Sequence, residues 1–215
     1  MFIGHYGVAL AAKKIDKRPS LGTLFMASEF IDLIWPVLLI LGIEKVKIEP
    51  ANSAFTTLDF TFYPYSHSLI GVIFWALIFG SVYYLIKKNI KVSVLLAAIV
   101  ISHWILDLIT HLPDLQLFPW SETRVGLGLW NSVPFTIIIE GLIFIAGIYF
   151  YLQTTKPSGV KGKLIFWSLI IFLVVMYIIS TFSPPPPSVK PIGYMGLAQW
   201  LLIAWGYWAD RNSKQ

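Results

Sequence analysis

The sequence predicts an all-α fold. It reads as a polytopic membrane bundle of about six transmembrane helices, preceded by a short N-terminal re-entrant or interfacial half-helix. Three observations predict it. First, hydrophobic residues make up 57% of the 215-residue chain and charged residues 13%, with a mean hydropathy of +0.73. A soluble domain of this length could not bury that much apolar side chain. Second, apolar runs of about 20 residues, the length that crosses a bilayer, recur along the chain. Third, the basic residues fall between those runs, so the formal charge of +5 reads as loop charge rather than a nucleic-acid-binding face. Residues 1–215 are expected to form a single integral membrane domain, with no nucleic acid as partner.

Residues 2–12 are apolar but too short to cross alone, and give the half-helix. Ala9-Leu10-Ala11 has the form of a signal-peptidase site. No basic region precedes it, however, so a cleaved signal peptide is not expected. The first full span is residues 21–43, interrupted by Glu29 and Asp32 and kinked at Pro36. A mixed-charge polar loop follows over 44–63. The remaining spans are read at 66–86, 92–112, 134–153, 164–182 and 192–209, with Pro184 to Pro187 as a rigid break before the last.

Basic loops at 13–18, 87–91 and 156–163 alternate with mixed or weakly charged ones. The positive-inside rule puts the basic loops and the C-terminus in the cytoplasm. At about 1.5 Å per residue, His103 lies roughly 18 Å from Lys91 and Asp32 roughly 18 Å from Ser20, both near mid-membrane. Glu140 lies about 9 Å in from Pro134. The numerous Trp and Tyr residues read as the interfacial belt, with Trp120 and Trp130 as alternatives for the mouth of a site.

The stretch from Ser102 to His111 carries the chemistry. His103, Asp107 and His111 recur four apart, which places them on one helical face. Ionisable groups are costly in lipid, so three on one stripe need each other, water or a metal as partner. His67 and Asp32 are at hand on other spans. Convergence of such side chains from facing helices is how metal sites are built in bundles. The stripe therefore reads as a metal or proton site, against the plainer reading of a hydrogen-bonded network between helices. With no cysteine in the chain, ligands must be His, carboxylate or backbone. Zinc suits them best, with Mn or Fe as alternatives.

Gly4-His5, Asp32-Leu33-Ile34-Trp35-Pro36, Ser66-His67-Ser68-Leu69 and Ser102-His103 with Asp107 and Thr110 together resemble an ordered motif set. It is that of the LexA-regulated, membrane-bound metal-dependent hydrolases, mostly bacterial integral membrane proteins, and covers roughly residues 1–120. The double acid of that family is reduced here to Asp32, with Glu29 three residues earlier, and His111 stands where relatives often have proline. The resemblance implies an inner (cytoplasmic) membrane location and a metal-dependent hydrolase, and adds His5 to the metal set.

The expected metal ligands are thus His5, His67, His103, Asp107 and His111. Asp32 and Glu140 are the expected catalytic carboxylates, with Glu29 as a substitute base. The expected substrate is a lipid or lipid-linked phosphoester entering from the bilayer. A proton or metal-ion transporter and a non-catalytic membrane scaffold are the alternatives, although no inverted repeat supports the former.

Overall fold

Residues that satisfy backbone donors decide where the helices begin. The computed structural model describes residues 1–214. Helix α1 (Ile3–Ile15) leads, followed by α2 (Leu21–Ser28) and α3 (Phe30–Ile40). The Ser20 hydroxyl accepts the Thr23 N–H at 3.2 Å to cap α2. Strands β1 (Lys45–Ile48) and β2 (Leu58–Phe62) form an antiparallel hairpin. The short α4 (Pro64–His67) leads into α5 (Leu69–Lys87), capped by Ser68, and α6 (Ile90–Thr110), capped by Asn89. A two-residue pair, β3 (Leu115–Gln116) with β4 (Arg124–Val125), precedes α7 (Val133–Thr154). Then come β5 (Lys156–Pro157), α8 (Gly159–Phe182), α9 (Val189–Arg211) and β6 (Ser213–Lys214), with β6 pairing back on β5.

The result is the expected all-α bundle, with differences in detail. Helices α5, α6, α7 and α8 are long and apolar enough to cross a membrane, and α2 with α3 makes a fifth span if the bent pair is counted as one. The sixth expected span is helical as α9, yet its glycines, tyrosines, tryptophans and Gln199 keep its hydropathy below that standard. The first span does not kink at Pro36. It breaks at Glu29, where the axes turn by 54°, and Pro36 sits inside α3. The 44–63 segment, expected as loop, holds the β1–β2 hairpin. It lies across the end of the bundle remote from the basic loops.

Helix α1 is not interfacial. Its side chains are largely buried, and it packs along α7 and against α2 and α6. That approach depends on missing side chains. A Cβ on Gly7 would stand 2.8 Å from the Ile143 carbonyl oxygen, and one on Gly147 would collide with the Gly7 backbone. Small residues at a helix crossing let backbones meet where hydrocarbon supplies no hydrophobic drive between helices.

The opposite, basic end is stapled. Lys13 is fully buried, with Nζ 2.8 Å from Asp210 Oδ1 and 2.8 Å from the Pro19 carbonyl oxygen. Asp16 accepts from the Arg18 guanidinium in the adjoining turn, which lowers the Asp16 pKa below its ordinary value. The Tyr151 and Phe166 rings stack 4.9 Å apart there, joining α7 to α8.

Two glycines on α7 predict opposite outcomes. Gly147→Val should destabilise the protein by about 1–3 kcal/mol through overpacking against Gly7. Gly141→Val, where an added Cβ meets nothing within 4 Å, should leave stability near that of the parent. Thermal unfolding in detergent, followed by intrinsic fluorescence, compares the two.

Candidate functional site

Five of the seven expected site residues converge, and α1 is what completes the group. The α6 stripe supplies His103 and Asp107, α4 supplies His67, α3 supplies Asp32, and the first turn of α1 brings in His5. Two sets of ligand-type atoms lie mutually within 4.8 Å: His5, His103 and Asp107, and Asp32, His67 and His103. His103 belongs to both.

The imidazole tautomers follow from the partners. His103 Nδ1 lies 2.7 Å from the Ser28 carbonyl oxygen, which can only accept, so Nδ1 carries the proton. The break between α2 and α3 at Glu29 adjoins that carbonyl. His67 Nδ1 lies 2.7 Å from Ser66 Oγ, whose own hydrogen goes to Glu44 Oε2 at 2.6 Å. His67 Nδ1 is therefore the donor to Ser66. Glu44 is held in turn, because its Oε1 accepts the backbone N–H groups of Tyr65 and Ser66. When neutral, both rings thus present Nε2 as an acceptor to the interior of the site.

Those two nitrogens alternate with two carboxylate oxygens. Around the ring, His67 Nε2 lies 3.3 Å from Asp32 Oδ1, Asp32 Oδ1 lies 3.8 Å from His103 Nε2, His103 Nε2 lies 3.1 Å from Asp107 Oδ2, and Asp107 Oδ2 lies 3.9 Å from His67 Nε2. The His103–Asp107 approach is out of line for a hydrogen bond, so His103 Nε2 is left buried and without a partner. Lone pairs facing carboxylates repel unless a proton or a cation lies between them.

The other oxygen of Asp107 is served from α1. Asp107 Oδ1 lies 2.6 Å from the Met1 amino group and 3.2 Å from His5 Nε2. An ionised carboxylate only accepts, so His5 Nε2 is the donor and His5 Nδ1 is left without a partner. The His5 and His103 rings stack 3.8 Å apart, 6° from parallel. Glu140 sits behind. Its Oε2 accepts the backbone N–H groups of Phe2 at 2.8 Å and Gly4 at 3.3 Å, satisfying donors at the start of α1. Glu140 Oε1 has no partner.

His111 departs from the expected stripe. It is the C-cap of α6 with extended backbone (φ −63°, ψ 150°), so helical periodicity stops before it. Its Nδ1 lies 3.0 Å from Asp114 Oδ1 and 3.3 Å from the Tyr63 hydroxyl, and its ring packs 4.1 Å from Trp130. It joins neither ligand set. Tyr63 donates to Asp114 at 2.6 Å, and burial, reinforced by Asp114, pushes its pKa well above the ordinary value. Trp130 is buried over this layer, whereas Trp120 is 79% exposed.

Three participants had no signal in the sequence. Glu44 is one more charge in a polar loop, the Ser28 carbonyl has no side-chain signature, and Asp114 is a single acid beside Pro113 past the end of an apolar run. Glu29, the substitute base, is 1% exposed, and neither of its carboxylate oxygens has a partner.

Residues 64–184, more than half of the chain, match the family model described as YdjM inner membrane protein. The chain belongs to the YdjM inner membrane protein family. The matched region runs from α4 to the proline run after α8, so it includes His67, His103, Asp107 and Glu140, while His5 and Asp32 lie outside it. Membership in the YdjM family accords with the LexA-regulated resemblance and with an inner-membrane location. No curated protein and no solved structure matches the chain.

Removing the acceptor at the start of α1 should be costly. Glu140→Ala leaves the Phe2 and Gly4 N–H groups buried and unpaired, for an expected loss of about 1–3 kcal/mol. Glu140→Gln keeps an acceptor oxygen and should lose less. The order of melting temperatures, parent above Gln above Ala, is the check.

Proposed function

We propose that this YdjM-family protein is a membrane-embedded, metal-dependent hydrolase acting on a lipid or lipid-linked phosphoester. One observation carries the reading: two histidines have Nδ1 committed to donating and Nε2 turned inward, and those nitrogens alternate with two carboxylate oxygens. A second shell that fixes the tautomer is the usual companion of a metal-binding histidine.

The donor set fits a divalent ion. Four N and O donors about 2.0–2.1 Å from one ion at the tetrahedral angle stand about 3.3 Å apart. Four of the six separations within this donor set are 3.1–3.9 Å, with Asp32, His67 and His103 mutually within 4.8 Å and Asp107 joined to them through His103. His67, His103, Asp32 and Asp107 would hold the ion, with zinc the first choice for imidazole and carboxylate donors. Asp107 would use Oδ2, leaving Oδ1 to His5 and Met1. His5 is then a residue that orients Asp107, and His111 lies outside the set. Once bound, the ion supplies Lewis-acid polarisation of a phosphoryl or acyl oxygen and acidifies a water.

The chain's own groups divide the remaining tasks. Asp32 is the most open member of the cluster, with 24% of its side chain exposed. It can release one interaction to accept a proton from water. The Glu44–Ser66–His67 relay holds the His67 ring in one orientation. Tyr63, Phe60 and Trp130 lie between the cluster and the hairpin end of the bundle and limit entry of bulk water.

A proton-pathway reading has one observation in its favour, the buried and unpartnered Glu29 three residues from Asp32. Proton flux in proteoliposomes without metal dependence would favour it over hydrolysis.

Elemental analysis of the purified protein decides first. The parent should carry a near-stoichiometric transition metal that His103→Ala and Asp107→Ala lose and His111→Ala keeps. Ser66→Ala should weaken metal affinity by about 10–100-fold, and chelation should lower the melting temperature. Hydrolysis of phospholipids or lipid-linked phosphates should then disappear with the metal. A parent without metal after reconstitution overturns the proposal.

A further inference from the structure

Helices α7 and α8 touch at the basic end and stand apart further along. Between them lies a cleft of about 250 Å³. Its walls are apolar: Ile137, Gly141 and Ile145 from α7, and Val174, Ile178 and Phe182 from α8. Both helices are apolar enough to cross a membrane, so the cleft opens toward hydrocarbon. Each wall spans nine residues, about 12 Å of helix.

Two features make it more than a gap between helices. The first is a polar group partway along the α8 wall. Tyr177 lines the cleft, is 4% exposed, and its hydroxyl has no partner. Phe55 packs 6.0 Å from Tyr177 and 6.4 Å from Trp130, closing that side toward the hairpin. The second is its floor. Ile3 of α1 lines the cleft, while His5, two residues on, faces Asp107. Glu140, one turn from Ile137 and next to Gly141, binds the same first turn of α1 and carries an unpartnered oxygen. One layer of residues therefore separates the cleft from the histidine–aspartate cluster.

We infer that the α7–α8 cleft holds an acyl chain of a membrane lipid, with the lipid's polar end at Tyr177 and the first turn of α1. Apolar walls suit the chain, and the buried hydroxyl without a partner suits an ester or phosphate oxygen. The assignment deepens the hydrolase reading and rests on it only for what becomes of the polar end.

The test uses the whole protein in vesicles of phosphatidylcholine bearing a photoactivatable group in the acyl chain. Illumination and peptide mapping should find label on residues 137–145 and 174–182 in excess of the groove between α5 and α6 near Ala76, Gly80 and Ala97. Gly141→Leu fills the cleft from a position where an added Cβ meets nothing within 4 Å, and should lose that label. Ile178→Trp, from the 52% exposed face of α8, fills it from the other side and should do the same. Label spread evenly over all lipid-facing helices, or label that both variants retain, overturns the assignment. Metal content read on the same samples keeps the two proposals apart. Even labelling on a metal-loaded protein sinks the cleft alone, while cleft labelling on a metal-free protein leaves the cleft standing and sinks the hydrolase reading.

Discussion

A helix that starts inside an apolar bundle must find acceptors for its first N–H groups, because no water is there to take them. Glu140 meets that requirement for α1 through the Phe2 and Gly4 nitrogens. The rest of the site depends on it. With the start of α1 held against α7, His5 stacks on His103 and reaches Asp107, and Ile3 becomes the floor of the cleft. Gly7 and Gly147 permit the approach and Glu140 fixes its depth. A carboxylate that reads from the sequence as a catalytic base is first of all the anchor of a helix.

The cluster then divides by function of its contacts. On one side of Asp107 the partners are donors, Met1 and His5. On the other side the partners are the Nε2 atoms of rings whose Nδ1 protons are directed outward, to Ser28 and to the Ser66–Glu44 relay. The β1–β2 hairpin supplies Phe60 above this arrangement and the segment after β2 supplies Tyr63, so aromatic rings stand over the polar groups. The aromatic cover lies on the hairpin side, while the apolar cleft adjoins the cluster from the bilayer side, behind the first turn of α1.

Much of this was legible from residue spacing. His103 and Asp107 share a face because four residues make about one turn, and the apolar runs located α5 through α8 nearly to their ends. His111 failed for a local reason: α6 ends at Thr110, and the next residue turns into extended backbone. Periodicity describes a helix only while the helix continues. The break at Glu29 was missed because Pro36 carries the stronger local signal, although a proline seven residues into α3 is accommodated within it. Glu44 was illegible because its burial comes from the hairpin folding over it, a tertiary event that a charge in a polar stretch does not announce. The weak apolar character of α9 reflects its neighbours: its glycines lie against α2 and α3, so protein rather than hydrocarbon covers part of its length.

At the basic end, Lys13 joins Asp210, β6 pairs with β5, and Tyr151 stacks on Phe166. These contacts tie the tail of α1, the α7–α8 connection and the end of α9 into one knot. The far ends of α7 and α8 are bridged instead through α1, where Phe2 donates its N–H to Glu140 and stacks 6.3 Å from Tyr177. The pair is therefore shaped like tongs, joined at the base with the gap toward the tips, and the gap begins roughly 9–12 Å along the helices from the Tyr151–Phe166 joint. The C-terminal strand, which belongs to the joint, thus shares one end of the bundle with the residues that hold α7 and α8 together.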